Sequence, residues 1–245
     1  MYYYIITGAS RGLGKALAET VLSQPDTRVL GVSRHATIQH ERYQHQPLDL
    51  SDITAVENNL HKVFPTCPNA TSITLINNAA VLGDIGYLGE HKNEHFEFVF
   101  SVNVIAPAML MNMFLSAYSG QTSIPRTILN ISSGAAQRAV DGWGAYSASK
   151  AALDALTRTA QKEQDLRGSG IRLRSLSPGV LDTTMQEHIR GADVNSFSEA
   201  ARFAGLYSQG KLVKPEEVAE KVVAWLQRPL VAGEEIVLRL ESLDT

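Results

Sequence analysis

The sequence predicts an α/β protein, a doubly wound parallel sheet of about seven strands with helices on both faces. Three observations predict it. Short runs rich in β-branched and aromatic residues alternate with longer segments of helical periodicity along the whole chain. The first run, Tyr2–Thr7, breaks into Thr7-Gly-Ala-Ser-Arg-Gly-Leu-Gly14 just before the first helical pattern. Later runs end on small or polar residues, among them Asn77-Asn-Ala-Ala80 and Ser132-Ser-Gly134, and the Asn77–Ala80 end suits close contact with a ligand or a neighbouring strand.

A chain of 245 residues with 44% hydrophobic and 19% charged residues has ample material for a core, and no linker-like stretch divides it, so one domain over residues 1–245 is expected. The net charge of -3 gives no reason to expect nucleic acid or an anionic membrane surface as a partner. The lone Cys67 has no partner for an internal disulfide, which fits a reducing compartment and a cytoplasmic location. Met1-Tyr-Tyr-Tyr-Ile-Ile6 runs straight into the glycine motif and reads as a strand rather than a signal peptide, and no uninterrupted apolar run reaches membrane-spanning length.

The elements follow in order. After the first strand, residues 15–22 carry Leu17, Ala18, Val21 and Leu22 on one helical face. A strand, a glycine turn and a helix start form a phosphate-binding context, because helix N-terminal amides and the helix dipole favour an anion. In this pattern Gly8 permits the turn, Gly12 lets a pyrophosphate approach the backbone and Gly14 lets helix and strand pack closely. Residues 28–33 form the second strand and end at Ser33-Arg34. An acidic residue there would bind a ribose 2′-hydroxyl; instead Arg34, with Arg11 in the glycine loop, suits a 2′-phosphate and points to NADP(H).

A third strand is predicted over 46–50, then a helix capped by Ser51 or Asp52 running to about residue 64, and a buried strand over 73–76. The loop 81–92, with three glycines and Asp84, is expected to lie over the site. Residues 94–118 read as a long helix with Asn103 inside it and Pro107 close behind; this is either a disturbed turn that holds a water or a plain kink. Strands over 126–132 and 171–176, a helix over 145–167, patches of helix over 183–214, the helix Pro215–Leu226 and a last strand over 235–240 complete the pattern.

The helix over 145–167 carries Tyr146-Ser-Ala-Ser-Lys150, with phenol and amine one turn apart on one face. A fixed ammonium beside a phenol favours the phenolate, so Tyr146 is a candidate for proton exchange near neutral pH. His91 and His95 share the same spacing, but no Glu follows His91 and no third ligand accompanies them, so they read as a surface pair and no metal is expected.

Taken together, Thr7-Gly-x-x-x-Gly-x-Gly14, Asn77-Asn-Ala-Ala80, Asn103, Ser133, Tyr146-x-x-x-Lys150 and Pro178-Gly179-x-x-x-Thr183 resemble the short-chain dehydrogenase/reductase family over essentially the whole chain. The resemblance implies a Rossmann fold with a substrate lid at about 183–214. Ser133, thirteen residues before Tyr146 as in that family, is marked as the catalytic serine over Ser132. Ala80 stands where the family usually has Gly, and the C-terminus lacks the usual Asp-Gly-Gly. Gly142-Trp-Gly-Ala-Tyr146, Pro178-Gly-Val-Leu-Asp-Thr-Thr-Met-Gln186 and Gly210-Lys-Leu-Val213 look like the branch that holds sepiapterin reductases and bacterial benzil reductases, which reduce dicarbonyl compounds with NADPH. Glu241 matches the acidic pterin anchor of sepiapterin reductases only approximately, so a benzil-like diketone is the closer comparison.

The resemblance implies roles residue by residue. Tyr146 would donate the proton, Ser133 would hydrogen-bond the carbonyl oxygen, Lys150 would lower the Tyr146 pKa and hold the nicotinamide ribose, and Asn103 would anchor a water that returns protons to Lys150. The cofactor would lie along Gly8, Ser10, Arg11, Gly12, Leu13 and Gly14, with Arg34, Asp49 and Leu50 at the adenosine end, Asn78, Ala79 and Ala80 by the ribose, Leu181 and Thr183 by the carboxamide, and Pro178 and Gly179 also in contact with it. Trp143 and Met185, with the segment 197–207, would wall the substrate pocket with apolar and aromatic surface; the same residues would equally well pack a lid onto the core or bury a subunit contact. The expected partners are a small-molecule carbonyl substrate and further copies of the chain, as a homodimer or homotetramer. Pterin reduction and a non-catalytic NADP-sensing role are the alternatives, while the glycine pattern of a sugar-nucleotide epimerase is not matched.

Overall fold

A computed structural model describes residues 1–229 and 233–244. The strands β1 (Tyr2–Thr7), β2 (Thr27–Ser33), β3 (Tyr43–Pro47), β4 (Ser72–Asn77), β5 (Arg126–Ile131), β6 (Ile171–Ser177) and β7 (Val237–Arg239) form one sheet in the order β3-β2-β1-β4-β5-β6-β7. Every neighbouring pair is parallel. The order reverses between β1 and β4, which opens a crevice at their C-terminal ends, and both the glycine turn and Asn78 emerge there.

The helices are α1 (Gly12–Leu22), α2 (Ile53–Val63), α3 (Asn93–Phe100), α4 (Ala106–Tyr118), α5 (Gly144–Arg167), α6 (Thr184–Arg190), α7 (Ala200–Ser208) and α8 (Pro215–Leu226). One face of the sheet buries Leu17, Val21, Val218 and Val222 from α1 and α8; the other buries Val56, Leu110 and Phe114 from α2 and α4. A third cluster, around Trp143, Tyr146, Phe197 and Phe203, lies outside both and includes the candidate site. Local chemistry sets the ends of these helices. Asp52 caps α2 by accepting the Ala55 amide at 2.9 Å, and Gly168, at φ 60°, closes α5 in the left-handed region.

Three expectations are corrected. The third strand lies at Tyr43–Pro47 rather than 46–50, because Leu48 and Leu50 are buried beyond the last β2 pairing, Ser33 with Pro47, in a turn where Asp49 accepts the Ser51 amide. The last strand is only Val237–Arg239, since β6 offers it Ser175 to Ser177, and a 3-10 turn, Leu240–Asp244, follows. The first helix begins at Gly12, so the glycine turn supplies its first amides. The long helix expected over 94–118 is present as Asn93–Tyr118, continuous through a π-helical segment, Ser101–Ile105, and its 26 residues are long and apolar enough by length and composition to cross a membrane. Ala106, Leu110, Met111, Phe114 and Tyr118 of this stretch are instead buried in the core.

Candidate active site

The glycine turn is held from behind and open in front. Arg11 at the N-cap of α1 makes no side-chain cap, and no acidic residue occupies the first turn, so the helix end presents amides and a positive dipole without a protein anion opposing them. A Cβ on Gly14 would stand 2.3 Å from both the Gly8 carbonyl oxygen and Asn78 Nδ2, an approach that only glycine allows. Gly12 has φ 53°, and a Cβ there would come 3.4 Å from Thr183 Cγ2, so the turn faces the N-cap of α6 across the crevice. Behind the turn, Thr7 Oγ1 accepts the amides of Asn78 and Ala79, each at 3.0 Å, and Asn78 Nδ2 donates to the Thr7 carbonyl at 3.0 Å. Asn78 therefore uses its side chain to fasten the loop. The uncapped helix end facing Thr183 is a cradle that fits a dinucleotide pyrophosphate.

The other candidate cofactor residues surround this cradle. Arg11 and Arg34 are exposed. The Ser51 amide holds the Asp49 carboxyl below its usual range, with a smaller contribution from Arg34. The Ser10 carbonyl accepts the Thr37 hydroxyl at 2.8 Å, whereas Leu13 and Leu50 are buried in the two main cores. Ala79 and Ala80 are half-buried, Pro178 is buried and Gly179 is exposed. Leu181 bridges Val213 through its backbone.

Tyr146 and Lys150 lie side by side at the start of α5, 7% and 2% exposed. Lys150 Nζ donates to the Ile131 carbonyl at 2.8 Å, at the end of β5, and sits 5.8 Å from the centroid of the Tyr146 ring. Ser133 caps the 3-10 turn Gly134–Ala136, its Oγ accepting the Ala135 amide at 3.2 Å, and its hydroxyl lies close enough to the Tyr146 phenol to favour the ionised form. The expectation that Lys150 holds the phenol low is not met in this structure. Burial pushes the phenol up, opposed by the Ser133 hydroxyl, and burial brings Lys150 down to about 8 against the pull of Asp154.

Asn103 is fully buried in the π-helical segment. Its Oδ1 accepts the Val81 amide at 2.9 Å, and its Nδ2 donates to the Val81 carbonyl at 2.8 Å and to Ser149 Oγ at 3.0 Å. Ser149 Oγ in turn donates to the Tyr146 carbonyl at 2.7 Å. Of the two readings, water holder or kink, the helix is indeed disturbed, and the side chain ties loop 81–92 to the α5 backbone.

On the opposite side, Trp143 stacks on Phe197 with centroids 5.2 Å apart and meets the Tyr146 ring edge-on at 5.7 Å. Phe203 leans on both Trp143 and Phe197, and Met185 packs half-buried against the same cluster. Phe197 and Phe203 are buried, while Tyr207 is exposed. Asp141, which spacing did not reveal, joins three segments: its carboxylate accepts the Ser198 amide at 2.7 Å, the Ser198 hydroxyl at 2.9 Å and the Tyr87 hydroxyl at 3.3 Å. Arg138 and Arg202 both pair with Glu199 beside it. Glu241 is exposed on the final 3-10 turn.

His91 and His95 stack with centroids 4.2 Å apart, and His91 Nε2 lies 2.9 Å from the Gly86 carbonyl. Parallel rings do not converge on one ion, and among the described residues no group of three or more ligating side chains could hold a metal.

The family model described as short chain dehydrogenase matches residues 3–193. The chain is 35% identical over 234 residues to a benzil reductase ((S)-benzoin forming) of Bacillus subtilis, covering 93% of this chain and 94% of that protein. It is 31% identical to the sepiapterin reductase of Rattus norvegicus, covering 91% of this chain and 90% of that one. In fold it is similar to a short chain dehydrogenase/reductase from Saccharomyces cerevisiae, with a TM-score of 0.86 at 22% identity over 99% of this chain and 98% of the other. With a parallel sheet that reverses order beside a glycine turn, and Ser133, Tyr146 and Lys150 gathered at its C-terminal edge, the chain belongs to the short-chain dehydrogenase/reductase family, on the branch of benzil and sepiapterin reductases.

Proposed function

We propose that this oxidoreductase is an NADPH-dependent carbonyl reductase that converts a benzil-like diketone to a hydroxy ketone. The observation that carries the reading is Tyr146 beside Lys150, with the turn that Ser133 caps packed in the same cluster, next to a glycine cradle that fits a dinucleotide.

NADPH supplies the hydride that reduces the carbonyl carbon. The chain's own residues do the rest. The α1 amides would bind the pyrophosphate, Leu181 and Thr183 would meet the carboxamide, and Arg34 with Arg11 would take the 2′-phosphate. Tyr146 gives its phenolic proton to the carbonyl oxygen as charge builds there, and Ser133 hydrogen-bonds that oxygen. The upward shift of the phenol by burial keeps it protonated, as a donor must be. Lys150 supplies positive charge beside the phenolate left behind and holds the ribose, and Asn103 supports the site through Val81 and Ser149. Segment 183–214 acts as the lid, and Trp143 and Met185 line the pocket beneath it. A cytoplasmic location and assembly as a homodimer or homotetramer belong to the same proposal.

An NADPH-oxidation screen with benzil, other α-diketones, sepiapterin and simple aldehydes tests it. Turnover is expected to be fastest with the diketones. Binding of NADPH without turnover across the panel would instead mean a sensor, and preference for sepiapterin would mean a pterin reductase.

A further inference from the structure

Lys150 is a buried ammonium whose hydrogen-bond partner, the Ile131 carbonyl, carries no charge. One turn further along the same face of α5 lies Asp154, only 3% exposed, with Oδ1 accepting the Ser175 hydroxyl of β6 at 2.5 Å. A carboxylate sealed this far from water is costly unless it has a compensating charge, and so is the ammonium. The remaining titratable group on this stretch of α5 is Tyr146, and the π-helical segment brings Asn103. The end of β5 contributes the Ile131 carbonyl, Ser132 and Ser133. On β6 beyond Ser175, Arg174 is engaged by Glu234 and Gln161, and Arg172 lies over the Trp225 ring.

We infer that Asp154 is a positioning residue of this enzyme, a buried anion pinned by Ser175 whose role is to keep Lys150 charged. Its pull on Lys150 opposes the burial that brings the amine down to about 8. With Asp154 in place Lys150 is charged at neutral pH; without that anion burial acts unopposed, and Lys150 loses its charge, and its hold on a phenolate and a ribose, at a lower pH. The inference rests on the carbonyl-reductase reading for the step that Lys150 serves, but not for the charge itself.

The test uses two neutral variants, Asp154→Asn and Asp154→Ser, and one that keeps the charge, Asp154→Glu. The full chain is titrated with the Lys150 amine followed by NMR, and the pH profile of kcat/KM for NADPH is measured alongside. Both neutral variants are expected to lower the Lys150 midpoint, and with it the alkaline limb of the profile, by a pH unit or more, within the roughly 1–3 units that a nearby opposite charge commands. Asp154→Glu is expected to restore most of that shift. Two neutral residues of different size keep the test alive if one fails to fold. Unmoved midpoints in the neutral variants, whatever their overall rate, overturn the inference. A wild-type protein that turns over no carbonyl overturns the functional reading alone, and the NMR titration still decides the role of Asp154.

Discussion

The two walls of the crevice are built by opposite means. The glycine turn is positioned by main chain packed against main chain: Gly14 against the Gly8 carbonyl, and the Asn78 and Ala79 amides on the Thr7 hydroxyl. The wall made by segment 183–214 is held by side chains reaching across the fold: Asp141 to Ser198, Arg138 to Glu199 and Trp143 to Phe197. The first kind of wall tolerates almost no change in residue type, because the constraint is steric and the neighbour is backbone. The second can be altered pair by pair. A cofactor common to many substrates suits the rigid wall, and the substrate suits the adjustable one.

Substitutions on either side, and between them, sharpen this contrast. The largest effect belongs to neither wall. Tyr146→Phe is expected to lower kcat with a diketone by roughly 10²–10⁴-fold while NADPH affinity, measured by cofactor fluorescence, stays unchanged. On the rigid wall, Gly14→Ala drives a methyl group into the Gly8 carbonyl; a stability loss at or above the upper end of the ~1–3 kcal/mol typical of overpacking is expected in thermal melts, together with loss of cofactor binding. At the rim of that wall, Arg34→Ser is expected to cut the preference for NADPH over NADH by about tenfold or more, as removal of a charge-assisted hydrogen bond worth roughly 1.5–3 kcal/mol would. Retained preference would move 2′-phosphate recognition to Arg11.

The smallest effect is expected on the adjustable wall. Asp141→Ala should raise KM for a bulky diketone several-fold and speed proteolytic cleavage within 191–199, with cofactor affinity intact. An equal loss of cofactor affinity would show that the two walls are not independent. The pH dependence follows in sign. The Ser198 amide holds the Asp141 carboxyl below its ordinary range, so the clamp is complete at neutral pH and weakens only as pH falls through that lowered range.

This contrast also explains what could be read in advance. The parallel α/β sheet, the glycine turn and Pro215–Leu226 were legible because backbone demands leave local marks: glycine where a side chain cannot fit, proline at a helix start, alternation of strand and helix patterns. The third strand was misplaced because burial continues through Leu48 and Leu50 after the ladder ends at Pro47, with only the Leu48 amide still reaching the Ser33 carbonyl, and hydrophobicity alone does not mark that end. Ser133, Tyr146 and Lys150 were found through ordered motifs. Asp141 and Ser198, 57 residues apart, and Asp154 with Ser175, 21 apart, carry no local mark, since each pair exists only once the chain has folded. The direction of the Tyr146 shift was misjudged for a related reason: burial is a property of the assembled cluster and not of a spacing.

The π-helical turn at Ser101–Ile105 has a mechanical consequence. Wider winding there puts the two halves of Asn93–Tyr118 out of phase, as if the helix were two gears joined by a slipped tooth. The leading half turns His95 and Val99 toward Gly83, while the trailing half keeps Leu110 and Phe114 on the sheet. Asn103 sits at that joint, so the phase of a core helix and the support beneath Tyr146 are set by the same few residues.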